Sequence, residues 1–479
     1  MHADSSLQRP TPPDQGVRVR FAPSPTGDLH LGSALVALAN AAYARRWGGT
    51  FVLRIDDTDE ERSDPGLIAA IVDELRWLGV EWDEGPLLQS ERAQQHQLEL
   101  GRLIASGQAY PCFCSDARLA ELRERQRAAG KPPRYDGACS ELSADDVAHR
   151  LAAGAIPAYR LRVPDRAFDF VDLVHDTVAA PPGSFGDFVI RRASGTFMYQ
   201  FATVVDDIQM GITHIIRGED HLANTARQMA VFDALGAAPP VFAHLPLLRN
   251  ADGRKLAKRD PMGTLGQLRD DGYLDSVIRT YLAELLGLGA IDVLGPDVEF
   301  DLSRVRGGSA PMVDAQRLAS LGRDALASDP DQAAATALDA LDLPHGSWHE
   351  LAVEMAPGCA TTLELEDALR DIAESPSPSA VAMLLDELDE AADTGIDRER
   401  ILSLLEQRIM DGDLSDIVGA QEFIAAWKAA SGMPAGRAMR TLRAVLTASR
   451  NGPPMPLMVV TLGAEEALQR VRSAAMRHA

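Results

Sequence analysis

The chain has 479 residues, 46% of them hydrophobic and 24% charged, with a formal net charge of -23. No apolar run reaches the roughly 20 residues of a membrane span, and the acidity excludes indiscriminate nucleic-acid binding: a nucleic-acid partner would have to meet local basic surfaces in a repelling background. The length suits about three domains, and four cysteines argue against a disulfide scaffold and fit a reducing cytosol.

Residues 1–16 are polar and Pro-rich, lack the layout of a secretory signal, and read as a disordered leader. Val17-Arg-Val-Arg-Phe21 alternates apolar and charged residues, which predicts a strand with two different faces. Pro23, Pro25 and Gly27 break it into a loop. Leu31, Leu35 and Leu38, with Ala34, Ala41 and Ala42, predict a helix to Trp47, ended by Gly48-Gly49; Phe51-Val-Leu-Arg-Ile55 is a second, buried strand. Strand, loop, helix and strand together predict a βαβ unit, and so a parallel, doubly wound sheet of Rossmann type. Ligands of such sheets lie beyond the carboxyl ends of the strands, where Pro23 to Ser33 and Asp56-Asp-Thr-Asp59 fall. The first loop is no P-loop. It offers Ser24, Thr26, His30, Gly32 and Ser33 at a helix start, whose free N–H groups attract anions. Gly32 permits close approach of a planar ligand; His30 either donates to phosphate or caps the helix. The aspartates serve that site or cap a helix announced by Ser63-Asp-Pro65.

Further along, Cys112, Cys114 and Cys139 place three of the four cysteines within 28 residues. That density suits a metal, or three small buried thiols. Lysine is scarce, four against forty-three arginines, yet Lys255 and Lys258 stand three apart in Gly253-Arg-Lys-Leu-Ala-Lys-Arg259. Two compact, mobile ammonium groups suit charge that develops on phosphates during nucleotidyl transfer; a solvated basic turn is the plainer reading. Beyond Arg259 the pattern is helical, as in Tyr273 to Leu286, with breaks at Gly295-Pro-Asp297, Gly307-Gly308, Ser328-Asp-Pro-Asp331 and Glu374 to Ser379. Arg437, Arg440 and Arg443 are spaced to share a helix face, for phosphates and bases or for solvent.

FAPSPTGDLHLGSA resembles the HIGH signature of class I aminoacyl-tRNA synthetases, and Lys255-Leu-Ala-Lys-Arg259 resembles their KMSKS signature. With Arg54-Ile-Asp-Asp-Thr-Asp59, then KPPRYDGAC, then VVDD and GITHIIRGEDH in this order, the wording is similar to glutamyl-tRNA synthetases of the bacterial type. The likeness is strong from about Val17 to Arg259 and weaker beyond. It implies a monomeric, cytoplasmic glutamate–tRNA ligase without membrane contact, using ATP and Mg²⁺ to form glutamyl-AMP from L-glutamate. The glutamyl group then passes to the terminal adenosine of tRNA(Glu), with tRNA(Gln) left open as a second acceptor.

The resemblance assigns Arg20, Ala22, Ser24, Asp56, Tyr199, Thr203 and Arg217 to glutamate. It assigns His30, Gly32, Ser33, Asp220, Lys255 and Lys258 to ATP, with His30, Lys255 and Lys258 catalytic and Lys258 on the pentavalent transition state. Arg217 paired with Glu219 or Asp220 is the alternative. Relatives that hold zinc imply Cys112, Cys114 and Cys139 with Tyr135 as fourth ligand, Glu141 standing where others have His; further relatives carry none. Asp56 departs from the commoner Glu, Thr203 from Asn and Ala257 from Ser. The implied order is a leader (1–16), a Rossmann-type catalytic domain (17–99 and 200–249), and an α+β insert holding the tRNA acceptor end (100–199). A stem-contact domain with the second signature loop (250–334) and an all-helical anticodon-binding domain (335–479) follow, the latter carrying the arginine face as a tRNA contact. Two rivals are a glutamine-charging ligase, whose family usually has Ala-Lys-Ser after HIGH and a β-rich tail, and a non-catalytic tRNA-binding paralogue.

Overall fold

A strand covered on both faces must be apolar along its length, and Thr50–Ile55 is buried over five successive residues, Arg54 included. The computed structural model describes residues 16–57, 65–289, 291–294, 300–305, 310–390 and 397–475. The expected leader apart from Gly16, Asp59, Ser63-Asp64 and the breaks at Gly295 and Gly307 lie outside them. Strands β1 (Arg18–Phe21) and β2 (Thr50–Ile55) flank helix α1 (Leu31–Arg46); α2 (Pro65–Trp77) then leads to β3 (Glu84–Leu88). The three strands are parallel in the order β1-β2-β3. Helix α1 is buried on most sides, which explains its run of small alanines. β1 departs from the expected two-faced pattern: Val19, Arg20 and Phe21 are all buried, because Arg20 finds an internal carboxylate.

Next come α3 (Ala93–Ala105), β4 (Ala109–Cys112), α4 (Asp116–Ala128), α5 (Ala144–Ala152), β5 (Ala158–Leu161), β6 (Phe170–Asp172), β7 (Asp176–Val178) and β8 (Phe188–Arg191). β4, β5 and β8 form an antiparallel sheet, which with α4 and α5 makes an α+β insert. β6 and β7 leave it to join the second half of the nucleotide fold, so residues 100–199 are divided between two sheets. That half comprises α6 (Tyr199–Gln209), β9 (His214–Gly218), α7 (Leu222–Ala234) and β10 (Val241–Leu245). Its sheet runs β7-β6-β10-β9, with β10 parallel to both neighbours. Thr213, just before β9, donates its N–H to the Arg18 carbonyl at 2.9 Å and so ties this sheet to β1. Phe201, Phe232 and Phe242 fill the core.

After α8 (Leu265–Asp270) and α9 (Asp275–Leu285) the described residues beyond 315 are all-helical. They form α10 (Ala315–Ser328), α11 (Pro330–Leu341), α12 (Ser347–Met355), α13 (Thr362–Ala373), α14 (Pro378–Glu390), α15 (Arg398–Asp411), α16 (Ile417–Ser431), α17 (Ala435–Thr447) and α18 (Met455–Ala475). The chain divides into two compact units, one reaching Leu268 and including Ile278–Asp314, the other Arg269–Val277 with the residues from Ala315 on. Among the described residues no helix is long and apolar enough to cross a membrane.

In the helical unit, Gly322 of α10 lies against the Ala360 carbonyl, where an added Cβ would come within 2.0 Å of the oxygen. Gly322→Ala is therefore expected to cost about 1–3 kcal/mol through overpacking, read as a lower urea midpoint by circular dichroism.

Candidate active site

The chain leaves β1 through Pro23 and Pro25 and reaches His30, which caps α1. Nδ1 of His30 accepts the Gly32 N–H at 2.9 Å, so the ring proton sits on Nε2 and is donated to the Leu256 carbonyl at 2.6 Å. Burial holds the ring below the usual histidine range, in its neutral form, despite that carbonyl. The proton expected to reach a phosphate is thus given to the second signature loop. The first amide of α1 is also taken, Leu31 N–H by Gly263 O at 3.1 Å. Leu265 N–H returns to Leu29 O at 2.9 Å, and the Glu74 carboxylate accepts Leu29 N–H at 2.7 Å. Lys258 Nζ donates to the Thr26 carbonyl at 3.1 Å, and Lys255 Nζ pairs with Asp220 at 2.8 Å.

Beneath these loops lies a cavity of about 350 Å³. Arg20, Ala22 and Ser24 line it from the first strand and loop, and Tyr199 and Arg217 from α6 and β9. His30, Gly32, Ser33, Asp220 and Lys255 complete the expected set on its wall. Three expected residues are absent from that wall. Lys258 is exposed, while Asp56 and Thr203 are buried.

Asp56 is taken up by Arg54, whose Nε reaches Oδ1 at 2.7 Å, and the Thr203 hydroxyl donates to Oδ2 at 3.3 Å. Burial pushes the Asp56 carboxyl up and Arg54 pulls it back. Arg54 also donates to Asp207 Oδ1 at 2.7 Å, the same oxygen that receives Arg20 Nε at 3.2 Å. Neighbouring Asp206 gathers Gln89, Arg92 and His96 at 2.7 to 2.9 Å. Burial disfavours its charge, but His96 and the nearby arginines hold its carboxyl below the usual range. Asp56 and Thr203, which the resemblance assigns to glutamate, do not line this cavity: Asp56 neutralises a buried arginine, and Thr203 supports it. Arg54, Asp206 and Asp207 stand in the motifs that carry the resemblance but were given no role there. The signal was available, since a charge inside an apolar strand or helix stripe has to be paired.

Arg217 is different. Its described partners are all neutral: His244 Nε2 at 3.1 Å, Thr225 Oγ1 at 2.8 Å, Gln228 Oε1 at 2.7 Å and the Tyr199 phenol at 3.5 Å. The alternative pairing with Glu219 or Asp220 is not formed; Glu219 accepts Leu247 N–H at 3.2 Å and Asp220 holds Lys255. Among the described residues no carboxylate pairs with this guanidinium, and it lines the cavity.

In the insert, the sulfurs of Cys112, Cys114 and Cys139 lie within 4.8 Å of one another. The Tyr135 hydroxyl is 3.5 Å from Cys112 Sγ and 3.3 Å from Cys114 Sγ. Burial works against a Cys112 thiolate, but donors from Tyr135 and Arg160 bring it down to about 7. Glu141 turns away to Ser140. On α17, Arg437 is buried against Asp389, Arg443 is half-buried and donates to the Pro453 carbonyl at 2.7 Å, and Arg440 alone of the three is exposed. Spacing put them near one another, but packing used two of them internally.

A parallel nucleotide fold with this loop pair defines a class I aminoacyl-tRNA synthetase. The family model for the catalytic domain of class I tRNA synthetases for E and Q matches residues 16–291, and the anticodon binding domain model matches residues 332–475. A Methylorubrum extorquens protein named glutamate–tRNA ligase 1 is 37% identical over 95% of this chain and 98% of its own length. One from Acidiphilium cryptum with the same name is 38% identical over 95% and 99%. The solved glutamate–tRNA ligase of Elizabethkingia meningosepticum, in complex with its amino acid, superposes with a TM-score of 0.83 at 25% identity, covering 96% of this chain and 99% of that one. The chain belongs to the bacterial-type glutamate–tRNA ligases.

His214 and His244 are buried and His221 is half-buried, all three neutral, and burial lowers each from 6.5 to about 4. Between those values the unfolded chain binds protons that the folded chain refuses, so stability rises with pH and is lost on acidification. The melting temperature is expected to fall as pH drops from about 6.5 towards 4, and His214→Leu to flatten that slope.

Proposed function

We propose that this chain activates L-glutamate with ATP, Mg²⁺ accompanying the triphosphate, and esterifies tRNA(Glu) at its 3′-terminal adenosine. The observation that carries the reading is Arg217, a buried guanidinium without a carboxylate partner among the described residues, in the same cavity as the His30–Ser33 helix start and Lys255. Glutamate's side-chain carboxylate meets Arg217, with Arg20 nearby, while Ser24 and Tyr199 offer oxygens to the ammonium group. The reacting carboxylate oxygen attacks the α-phosphorus, the bond to the β-bridging oxygen breaks, and pyrophosphate leaves. A ribose hydroxyl of the tRNA then attacks the glutamyl carbonyl carbon, and AMP leaves. No protein nucleophile is required; positioning and electrostatics supply the rate.

Lys255 and Lys258 supply positive charge to the phosphates once they exchange Asp220 and the Thr26 carbonyl for ATP. Ala257 lacks the hydroxyl its relatives' Ser provides, which removes about one hydrogen bond, ~0.5–1.5 kcal/mol. The reading is tested by charging purified tRNA(Glu) and tRNA(Gln) separately with labelled glutamate. Label on tRNA(Glu) is expected; label on both defines a non-discriminating enzyme, and label on neither sinks the proposal. Lys258→Ala is expected to cut adenylate formation by orders of magnitude with tRNA affinity nearly intact.

The insert's thiols fit a structural zinc. Cys114 and Cys139 sulfurs are 3.6 Å apart, close to the ~3.8 Å edge of a tetrahedral thiolate site with 2.3 Å bonds. Arg160 donates to Cys112 and favours its thiolate, whereas burial and the neighbouring sulfurs push the Cys114 thiol up despite the Arg118 N–H that it accepts. Zinc would tie β4 to the loop bearing Tyr135 and Cys139 and take no part in the chemistry. One zinc per chain is expected by elemental analysis of the purified protein, and its loss in Cys139→Ser.

A further inference from the structure

Asp172, His244 and Arg217 lie on three adjacent strands, β6, β10 and β9, with His244 in direct register with Arg217. Asp172 and His244 are fully buried, and Arg217 nearly so. Asp172 Oδ2 lies 2.6 Å from His244 Nδ1, while its Oδ1 accepts the N–H groups of Val174 and His175 at 2.9 Å. A carboxylate so anchored requires the ring's single proton on Nδ1. Nε2 is then a lone pair that accepts Arg217 Nε at 3.1 Å, with the Thr225 hydroxyl 3.0 Å away. Phe170 and Phe242 pack against the imidazole and hold its plane.

A guanidinium this deep needs compensating charge. A carboxylate in direct contact would supply it, but would compete for the N–H groups a ligand carboxylate needs. Arg20 is in that position, bound to Asp207. For Arg217 the anion stands one imidazole away. Thr225 and Gln228 satisfy Nη2 as neutral acceptors, and Nη1 has only the Tyr199 phenol at 3.5 Å among the described residues.

We infer that Asp172 and His244 are positioning residues for Arg217, and that Gln228, by remaining uncharged, makes the cavity select a carboxylate over a carboxamide side chain. This rests on Arg217 as the receptor for glutamate's side chain. Glutamine brings no charge, so it leaves the face of Arg217 uncompensated, whereas glutamate completes it.

The decisive variant is Gln228→Glu, which supplies an internal anion to Nη2. In tRNA(Glu) charging, KM for glutamate is expected to rise about 10- to 100-fold, the weight of one charge-assisted hydrogen bond. KM for ATP stays unchanged, and glutamine competes more effectively against glutamate. Gln228→Met, which loses the acceptor but adds no charge, is expected to keep the preference for glutamate. Asp172→Asn can donate to Nδ1 and move the ring proton to Nε2, facing Arg217; it too is expected to raise KM for glutamate while sparing that for ATP. Unchanged glutamate KM and glutamine competition in a folded Gln228→Glu enzyme would overturn the inference. If that variant fails to fold by circular dichroism, Asp172→Asn decides alone: a selective rise in glutamate KM supports the inference, and no rise overturns it. Absence of glutamate charging by the unsubstituted enzyme would remove the reading of the cavity, and the inference with it.

Discussion

Burying a guanidinium takes it out of water at a cost of several kcal/mol, and the interior must return most of that through charge and hydrogen bonds. Arg20, Arg54 and Arg217 all sit on strands of the nucleotide fold and are nearly inaccessible. Two solutions are used side by side. Arg20 and Arg54 share Asp207, and Arg54 also takes Asp56. Arg217 is balanced at a distance by Asp172 through a neutral imidazole. The strand order β6-β10-β9 is what places that imidazole between them.

The same economy explains why the two signature loops can act without a protein nucleophile. Their backbones are joined by Leu31 to Gly263 and Leu265 to Leu29, and the imidazole of His30 spans from Gly32 to Leu256. These contacts hold the loop carrying Lys255 and Lys258 beside the cavity, where Lys255 pairs with Asp220 and Lys258 with the Thr26 carbonyl. Catalysis by positioning requires such a frame.

The βαβ start was legible because its evidence is local: turn residues after β1, an alanine-rich helix and an apolar strand follow one another within one unit. The cavity-lining set was legible through motif wording, down to Tyr199 and Arg217. Less legible were β6 and β7, three residues each: β7 pairs with β6, and the pairing of β6 with β10 is set by a partner about seventy residues away. Arg437 and Arg443 show the same limit. Their spacing is compatible with a solvated face, whereas Asp389 and the Pro453 carbonyl, on other segments, are among the partners that engage them.

By itself the sequence determined the parallel nucleotide fold, the helical second half and the side chains available for a carboxylate and a triphosphate. Periodicity, turn chemistry and motif spacing are properties of neighbouring residues. Only the tertiary structure decided which charges face the cavity and which are consumed beside it. Asp56 and Arg217 are both buried charged residues just past or at the end of a strand, and nothing local separates their roles. The difference arises from what the packed neighbours contribute: an arginine, Arg54, beside Asp56, and only neutral acceptors around Arg217 among the described residues.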